Sequence, residues 1–302
     1  MSGAAVGRRS LEAHAKLNLR LRVLAREESG YHGIETLFLR LELADRVEVE
    51  PGPRGILLEL EGDERVPAGP ANLCVRAARA LFDAAGVEPA VRIRLEKRIP
   101  AEAGLGGGSA DAAAVLAALG GWPELAALAG PLPAVAARVG SDVPFGLSPK
   151  PLALAWERGR RLLPLDPPPS RPVLVAVPPF GIATADAYRW LADDRSGDLT
   201  ADAGAEEGIV LPEPAELRRW ETLERLARND LERPVFRRHP ELARLRDALR
   251  ASGARPALLC GSGSSVAGMF REEGERDEAA RRLERDAGVR AIRTRTIGPV
   301  AG

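Results

Sequence analysis

The chain has 302 residues, enough to bury a sizeable core as one large domain or two ordinary ones. Lys plus Arg and Asp plus Glu balance at 43 each, so no basic field marks the chain for nucleic acid, and no apolar run reaches the ~18 residues of a membrane span. Cys74 and Cys260 are the only cysteines, too few for a disulfide framework or a metal cluster, and residues 1–9 lack a signal peptide's apolar core, so the expectation is a soluble cytoplasmic protein.

Residues 10–23 alternate, with Leu17, Leu19, Leu21 and Val23 on one strand face and Lys16 and Asn18 together on the other. After a polar turn holding Tyr31 and His32, the pattern predicts strands over 35–43, 45–50 and 56–60. Asn72 is placed to cap a helix over 73–85, and 91–99 alternates again as a strand. Short helices are expected within 123–140, a turn or new element at Asp142-Val-Pro, and strands over 152–156 and 161–165. Asp166-Pro-Pro-Pro-Ser170 is the best boundary, followed by a buried strand at 173–177. Residues 193–208 read as an acidic surface loop. Helices are expected at 214–227, 240–252 and 272–287, and strands at 256–260, 266–270 and 289–296, the first two strands flanking Gly261-Ser-Gly-Ser-Ser265.

The chain is organised around residues 100–119, where Gly104, Gly106, Gly107 and Gly108 precede Ser109, read as an N-cap, and a run of helix formers from Asp111. Glycines at this density pack no core; they bring backbone amides close to something, and with a helix N-terminus they make an anion site. It is not a P-loop, because Ser109 and Ala110 stand where Lys and Ser or Thr are required, and Ser109 breaks the dinucleotide fingerprint. A flexible hinge remains the bland alternative. Arg outnumbers Lys 40 to 3, so Lys16, Lys97 and Lys150 draw notice, as do His14, His32, His239, Tyr31 and Tyr188. Phosphoryl transfer needs cradled phosphates, a metal, a cation and a carboxylate near the attacking hydroxyl, and the chain offers a candidate for each.

Pro100–Ala110 resembles the central ATP motif of the GHMP kinases, residues 15–19 (AKLNL) their N-terminal motif, and 260–265 (CGSGSS) their C-terminal glycine motif. Gly30-Tyr31-His32, the triple glycine at 106–108, Gly140-Ser-Asp-Val-Pro144, Asn229–Glu232 and His239–Leu242 are similar to the branch acting on a cytidine diphosphate-linked sugar alcohol. The resemblance spans nearly the whole chain, in order. It implies an α+β fold of two domains, an ATP-binding unit over 1–166 and a second α+β unit over 167–302, with the active site in the cleft between them.

The activity it implies is ATP-dependent phosphorylation of the 2-hydroxyl of 4-diphosphocytidyl-2-C-methyl-D-erythritol in non-mevalonate isoprenoid biosynthesis. ATP and Mg²⁺ would be the cofactors, and the chain would act as a monomer or weak homodimer with no nucleic-acid or membrane partner. Asp142 would take or orient the hydroxyl proton beside Lys16. Pro100, Gly104, Leu105, Gly106, Gly107, Gly108, Ser109 and Ala110 would bind ATP, with Ser109 also touching the metal. Tyr31, His32 and Tyr188 would recognise cytosine, Asn18 would also bind the substrate, and Gly261, Ser262 and Gly263 would border the transferred phosphate. On spacing alone Lys16 is a solvated strand charge and Asp142 a turn former; the resemblance reverses both readings. The chain departs from the family pattern at His14 (usually Pro), Gly33 (often acidic) and Ala110, where many members carry a second Ser. Homoserine or mevalonate kinase is the alternative within the family, opposed by the aromatic set. A non-catalytic nucleotide-binding regulator is the alternative outside it, opposed by Lys16 and Asp142.

Overall fold

The computed structural model describes residues 7–26, 32–63, 65–128, 131–157, 159, 161–197, 212–286 and 288–299. Two sheets carry the architecture. The first is built on β1 (Arg9–Arg26) and β2 (His32–Pro51), whose length lets one end of β2 pair with β4 (Ala90–Glu96) and the other with β5 (Leu152–Trp156). β3 (Gly55–Glu61) lies parallel to β4, joined through helix α1 (Leu73–Ala85), and β6 (Arg161–Leu165) pairs with β5. Alternation explains β4, where Val91, Ile93 and Leu95 are buried in turn. Asn72 caps α1 as expected, its side chain accepting from the Cys74 amide at 2.8 Å.

Helix α2 (Gly107–Leu119), a 3₁₀ turn at Pro123–Leu128, α3 (Leu132–Val139) and the one-turn α4 (Val143–Gly146) follow the glycine loop. Ser109 is not the N-cap of α2. Gly106 takes that position in the left-handed region (φ 71°), and Ser109 is the helix's third residue.

The second sheet has the order β11–β7–β10–β9 and is antiparallel throughout, from β7 (Pro172–Val177), β9 (Ala257–Leu259), β10 (Val266–Met269) and β11 (Arg290–Arg295). Between these strands run α5 (Thr184–Gly197), α6 (Trp220–Leu226), α7 (Glu232–Arg238), α8 (Pro240–Ala251) and α9 (Glu273–Asp286). The two-residue β8 (Arg228–Asn229) leaves this half and pairs in parallel with Arg20 and Leu21 of β1.

Three of these elements differ from expectation. Residues 35–50 form one strand, because β2 pairs with β1 on both sides of the irregularity between His14 and Lys16. The helix expected over 214–227 is broken: a 3₁₀ turn at Glu216–Arg218 ends where Arg219 becomes extended, before α6. Asp193 and Asp194 belong to α5, and residues 198–211 lie outside the described set.

Apolar side chains gather into three main cores. One lies between α1–α3 and the first sheet. A second lies between the sheets, where Ala15, Leu17 and Leu19 meet Val173, Val175, Cys260 and Met269. A third lies beyond the second sheet against α8 and α9. Because Leu17 and Leu19 point into the inter-sheet core, Lys16 and Asn18 face the other way. The β1–β2 ladder is irregular on both sides of this pair, between His14 and Lys16 and between Asn18 and Arg20. Irregularities of this kind re-aim strand side chains beside active sites.

Candidate active site

A cavity of about 1100 Å³ opens where β1, the glycine loop, α4, α5 and the 261–263 turn meet. Lys16, Asn18, Pro100, Gly104–Ser109, Asp142, Tyr188 and Gly261–Gly263 all line it, so the structure brings together residues spread over more than two hundred positions. Ala110 is buried behind the loop and does not line the cavity. Tyr31 and the His32 side chain lie outside the described residues.

Lys16 is 7% exposed, which rules out a solvated strand charge. Its ammonium donates to Asn18 Oδ1 at 2.6 Å and lies 3.2 Å from Asp142 Oδ2. Asn18 is fixed in turn, donating to Thr36 Oγ1 at 2.8 Å, which donates to the Arg20 carbonyl at 2.7 Å. Asp142 sits at the N-cap position of α4 but makes no capping bond, so its carboxylate is left for Lys16. This separates it from an ordinary turn-forming aspartate.

The glycines are required by close approach. The Leu105 carbonyl accepts from the Lys16 amide at 2.9 Å, and a Cβ on Gly106 would stand 2.7 Å from Lys16 Cε. The first bond inside α2 runs from the Ala110 amide to the Gly106 carbonyl, leaving the amides of Gly107, Gly108 and Ser109 without intrahelical acceptors at the positive end of the helix. From the other half, the 261–263 turn closes over the loop. Asn229 donates to the carbonyls of Leu259 and Gly261 at 3.0 and 2.7 Å, and Thr184 at the start of α5 lies 3.1 Å from Ser262 Oγ. Tyr188 follows one turn later, half-buried; its burial, with the Asp142 carboxylate as a lesser cause, drives the phenol well above its usual range.

A second ionic cluster lies beneath the loop. Lys97 Nζ bonds Asp45 Oδ2 and, at 2.7 Å, Asp111 Oδ2. Desolvation pushes the Asp111 carboxyl up to about 8. The rarity of lysine was the only sequence signal for this cluster. All three lysines are ion-paired, Lys150 with Asp166. The remaining marked residues are structural: His239 precedes α8 and stacks on Phe180 at 5.2 Å, and burial pushes the Cys260 thiol up to about 12. Among the described residues, no helix is long and apolar enough to cross a membrane, and no group of three or more His, Cys, Asp or Glu could hold a metal.

Two family descriptions match the chain, "GHMP kinases N terminal domain" over residues 72–148 and "GHMP kinases C terminal" over 213–290. The 4-diphosphocytidyl-2-C-methyl-D-erythritol kinase of Anaeromyxobacter dehalogenans (strain 2CP-C) is 42% identical over 94% of this chain and 90% of its own. The enzyme of that name from Pelotomaculum thermopropionicum is 40% identical over 95% and 97%. A crystal structure of 4-(cytidine 5'-diphospho)-2C-methyl-D-erythritol kinase, 40% identical, superposes with a TM-score of 0.76 over 96% of this chain and all of its own. Homoserine kinase from Cytophaga hutchinsonii, at 16% identity and a TM-score of 0.69, shares the fold. The chain belongs to the GHMP kinase family, within the branch of the 4-diphosphocytidyl-2-C-methyl-D-erythritol kinases.

Proposed function

We propose that this chain transfers the γ-phosphoryl group of ATP to the 2-hydroxyl of 4-diphosphocytidyl-2-C-methyl-D-erythritol. The observation that carries this reading is the Lys16–Asp142 pair, 3.2 Å apart on the wall of a cavity whose neighbouring wall is a glycine loop feeding a helix N-terminus. Asp142 accepts the proton of the attacking hydroxyl as the new O–P bond forms and the bond to ADP breaks. Lys16, 3.2 Å from Asp142, holds that carboxylate in place and lies ready for the charge on the moving phosphoryl group. The amides of Gly107, Gly108 and Ser109 meet phosphate oxygens, and the absence of Cβ atoms at 106 and 107 lets the loop lie close against Lys16 and Ile99. The Ser109 hydroxyl, on the cavity wall at this helix start, fits one ligand of an ATP-bound Mg²⁺. When bound, that ion neutralises charge on the β- and γ-phosphates. Tyr188 stacks on the cytosine, and Tyr31 and His32 share in recognising that base. We place the domain boundary at 166/167, between β6 and β7.

The test is an ADP-release assay with Mg-ATP and four conditions: 4-diphosphocytidyl-2-C-methyl-D-erythritol, mevalonate, homoserine and no acceptor. Turnover with the cytidyl substrate alone supports the proposal. Turnover with another alcohol keeps the chemistry and overturns the specificity. Silence in all four, with ATP still bound, returns the chain to a regulatory role.

A further inference from the structure

Arg40 stands directly across from Lys16 in the β1–β2 ladder, yet it does not line the cavity. Its Nη2 lies 2.6, 3.0 and 2.8 Å from the carbonyl oxygens of Phe145, Gly146 and Ser148. These carbonyls close the end of α4 and the residues just after it, the turn that Asp142 begins. The Phe145 carbonyl also takes the Ser148 amide at 3.0 Å, and one guanidinium gathers it with the other two. Burial alone depresses the Arg40 pKa, so the cation is held among neutral acceptors.

The same residue is linked to Lys16 through two rings. The Arg40 guanidinium lies 5.1 Å from the Phe145 centroid, Phe145 stacks on Phe38 at 4.8 Å, and Lys16 Nζ lies 5.3 Å from the Phe38 centroid. Two cross-strand cations therefore hold one aromatic stack between them, and Asp142 is fixed to that stack through the first turn of α4.

We propose that Arg40 is a positioning residue for phosphoryl transfer: by tying the end of α4 to β2, it keeps the Asp142 carboxylate within reach of Lys16 and the acceptor hydroxyl. This rests on the reading of Asp142 as the proton acceptor. Misplacing a reacting group by about 1 Å costs on the order of 10²-fold in rate, and a residue acting through another shows non-additive losses.

The experiment is a double-mutant cycle of Arg40→Met and Arg40→Lys against Asp142→Asn, followed by single-turnover rates with enzyme in excess so that slow variants remain measurable, together with KM for both substrates. The expected result is a rate loss of about 10- to 100-fold for Arg40→Met, a smaller loss for Arg40→Lys, KM for ATP within about twofold, and no further loss when either is added to Asp142→Asn. A loss of the same factor in both backgrounds would overturn the proposal, as would a rise in KM for ATP matching the rate loss. If Arg40→Met does not fold, the Arg40→Lys arm decides by the same criterion. A wild-type rate for Asp142→Asn alone would instead overturn the reading of Asp142 on which the proposal stands.

Discussion

Gly104 of the glycine loop and Cys260 of the second sheet lie backbone against backbone, so closely that a Cβ on Gly104 would overlap the Cys260 carbonyl oxygen. Gly104 also holds φ +75°, a conformation that side chains other than glycine's adopt at a cost. Gly104→Ala is expected to lower Tm by several degrees and raise KM for ATP, since strain and overlap of this kind cost about 1–3 kcal/mol. Gly108→Ala is the contrast, because its Cβ would meet only Leu73 Cδ1 at 3.4 Å. Equal Tm losses in the two variants would dismiss the overlap argument.

Asp142→Asn keeps the size of the side chain and removes its basicity. The rate constant kcat is expected to fall by roughly 10²- to 10⁴-fold with little change in KM for ATP, as for loss of a general base. Steady-state kinetics with both substrates varied would check this, and an unchanged kcat would remove Asp142 from the mechanism.

This pair shows what the sequence makes readable. Alternation places Lys16 and Asn18 on one strand face, and glycine density marks the anion loop, because each is a local property of a few consecutive residues. The helix at 73–85 and the strands at 152–156 and 161–165 are legible for the same reason. Arg40 is not, because its meaning lies in three carbonyls more than a hundred positions away. Asp111 reads as an ordinary helix residue until Lys97 and Asp45 close around it. α5 continues through Asp193 and Asp194 although that stretch is polar, because Ala187 and Leu191, one helical turn apart, are buried. Arg237 pairs with Asp194, another contact invisible to local pattern.

Tyr188 tests the cytosine pocket. Tyr188→Ala is expected to raise KM for the cytidyl substrate about tenfold while leaving KM for ATP unchanged, in keeping with loss of one stacking contact. Tyr188→Phe should stay near wild type, since stacking uses the ring and not the hydroxyl. Parallel rises for both substrates in the alanine variant would place the ring elsewhere.

The Lys97 cluster carries two carboxylates for one ammonium, and desolvation raises the Asp111 carboxyl to about 8. The folded chain therefore keeps a proton there that the unfolded chain gives up near pH 4. Between those values the native state binds more protons, so this group's contribution to stability falls as pH rises toward 8. Asp111→Asn abolishes that dependence. Its Tm relative to the parent should improve between about pH 5.5 and pH 8.5 in thermal melts, and a difference that stays level would contradict the assignment.

The short pairing of β8 with β1 bears on how the molecule can be divided. Arg228 and Asn229 cover Arg20 and Leu21, the Asp230 amide reaches the Leu21 carbonyl, and the Asp230 carboxylate takes the Val23 amide. Were the chain severed near residue 166, the first half would present this strand edge bare, with Leu17 and Leu19 beside it stripped of the second sheet. Open edges of that kind recruit other strands. The two halves are therefore not interchangeable modules: expressed separately they should aggregate rather than recombine, and a natural insertion is better tolerated in a surface loop than at the midpoint.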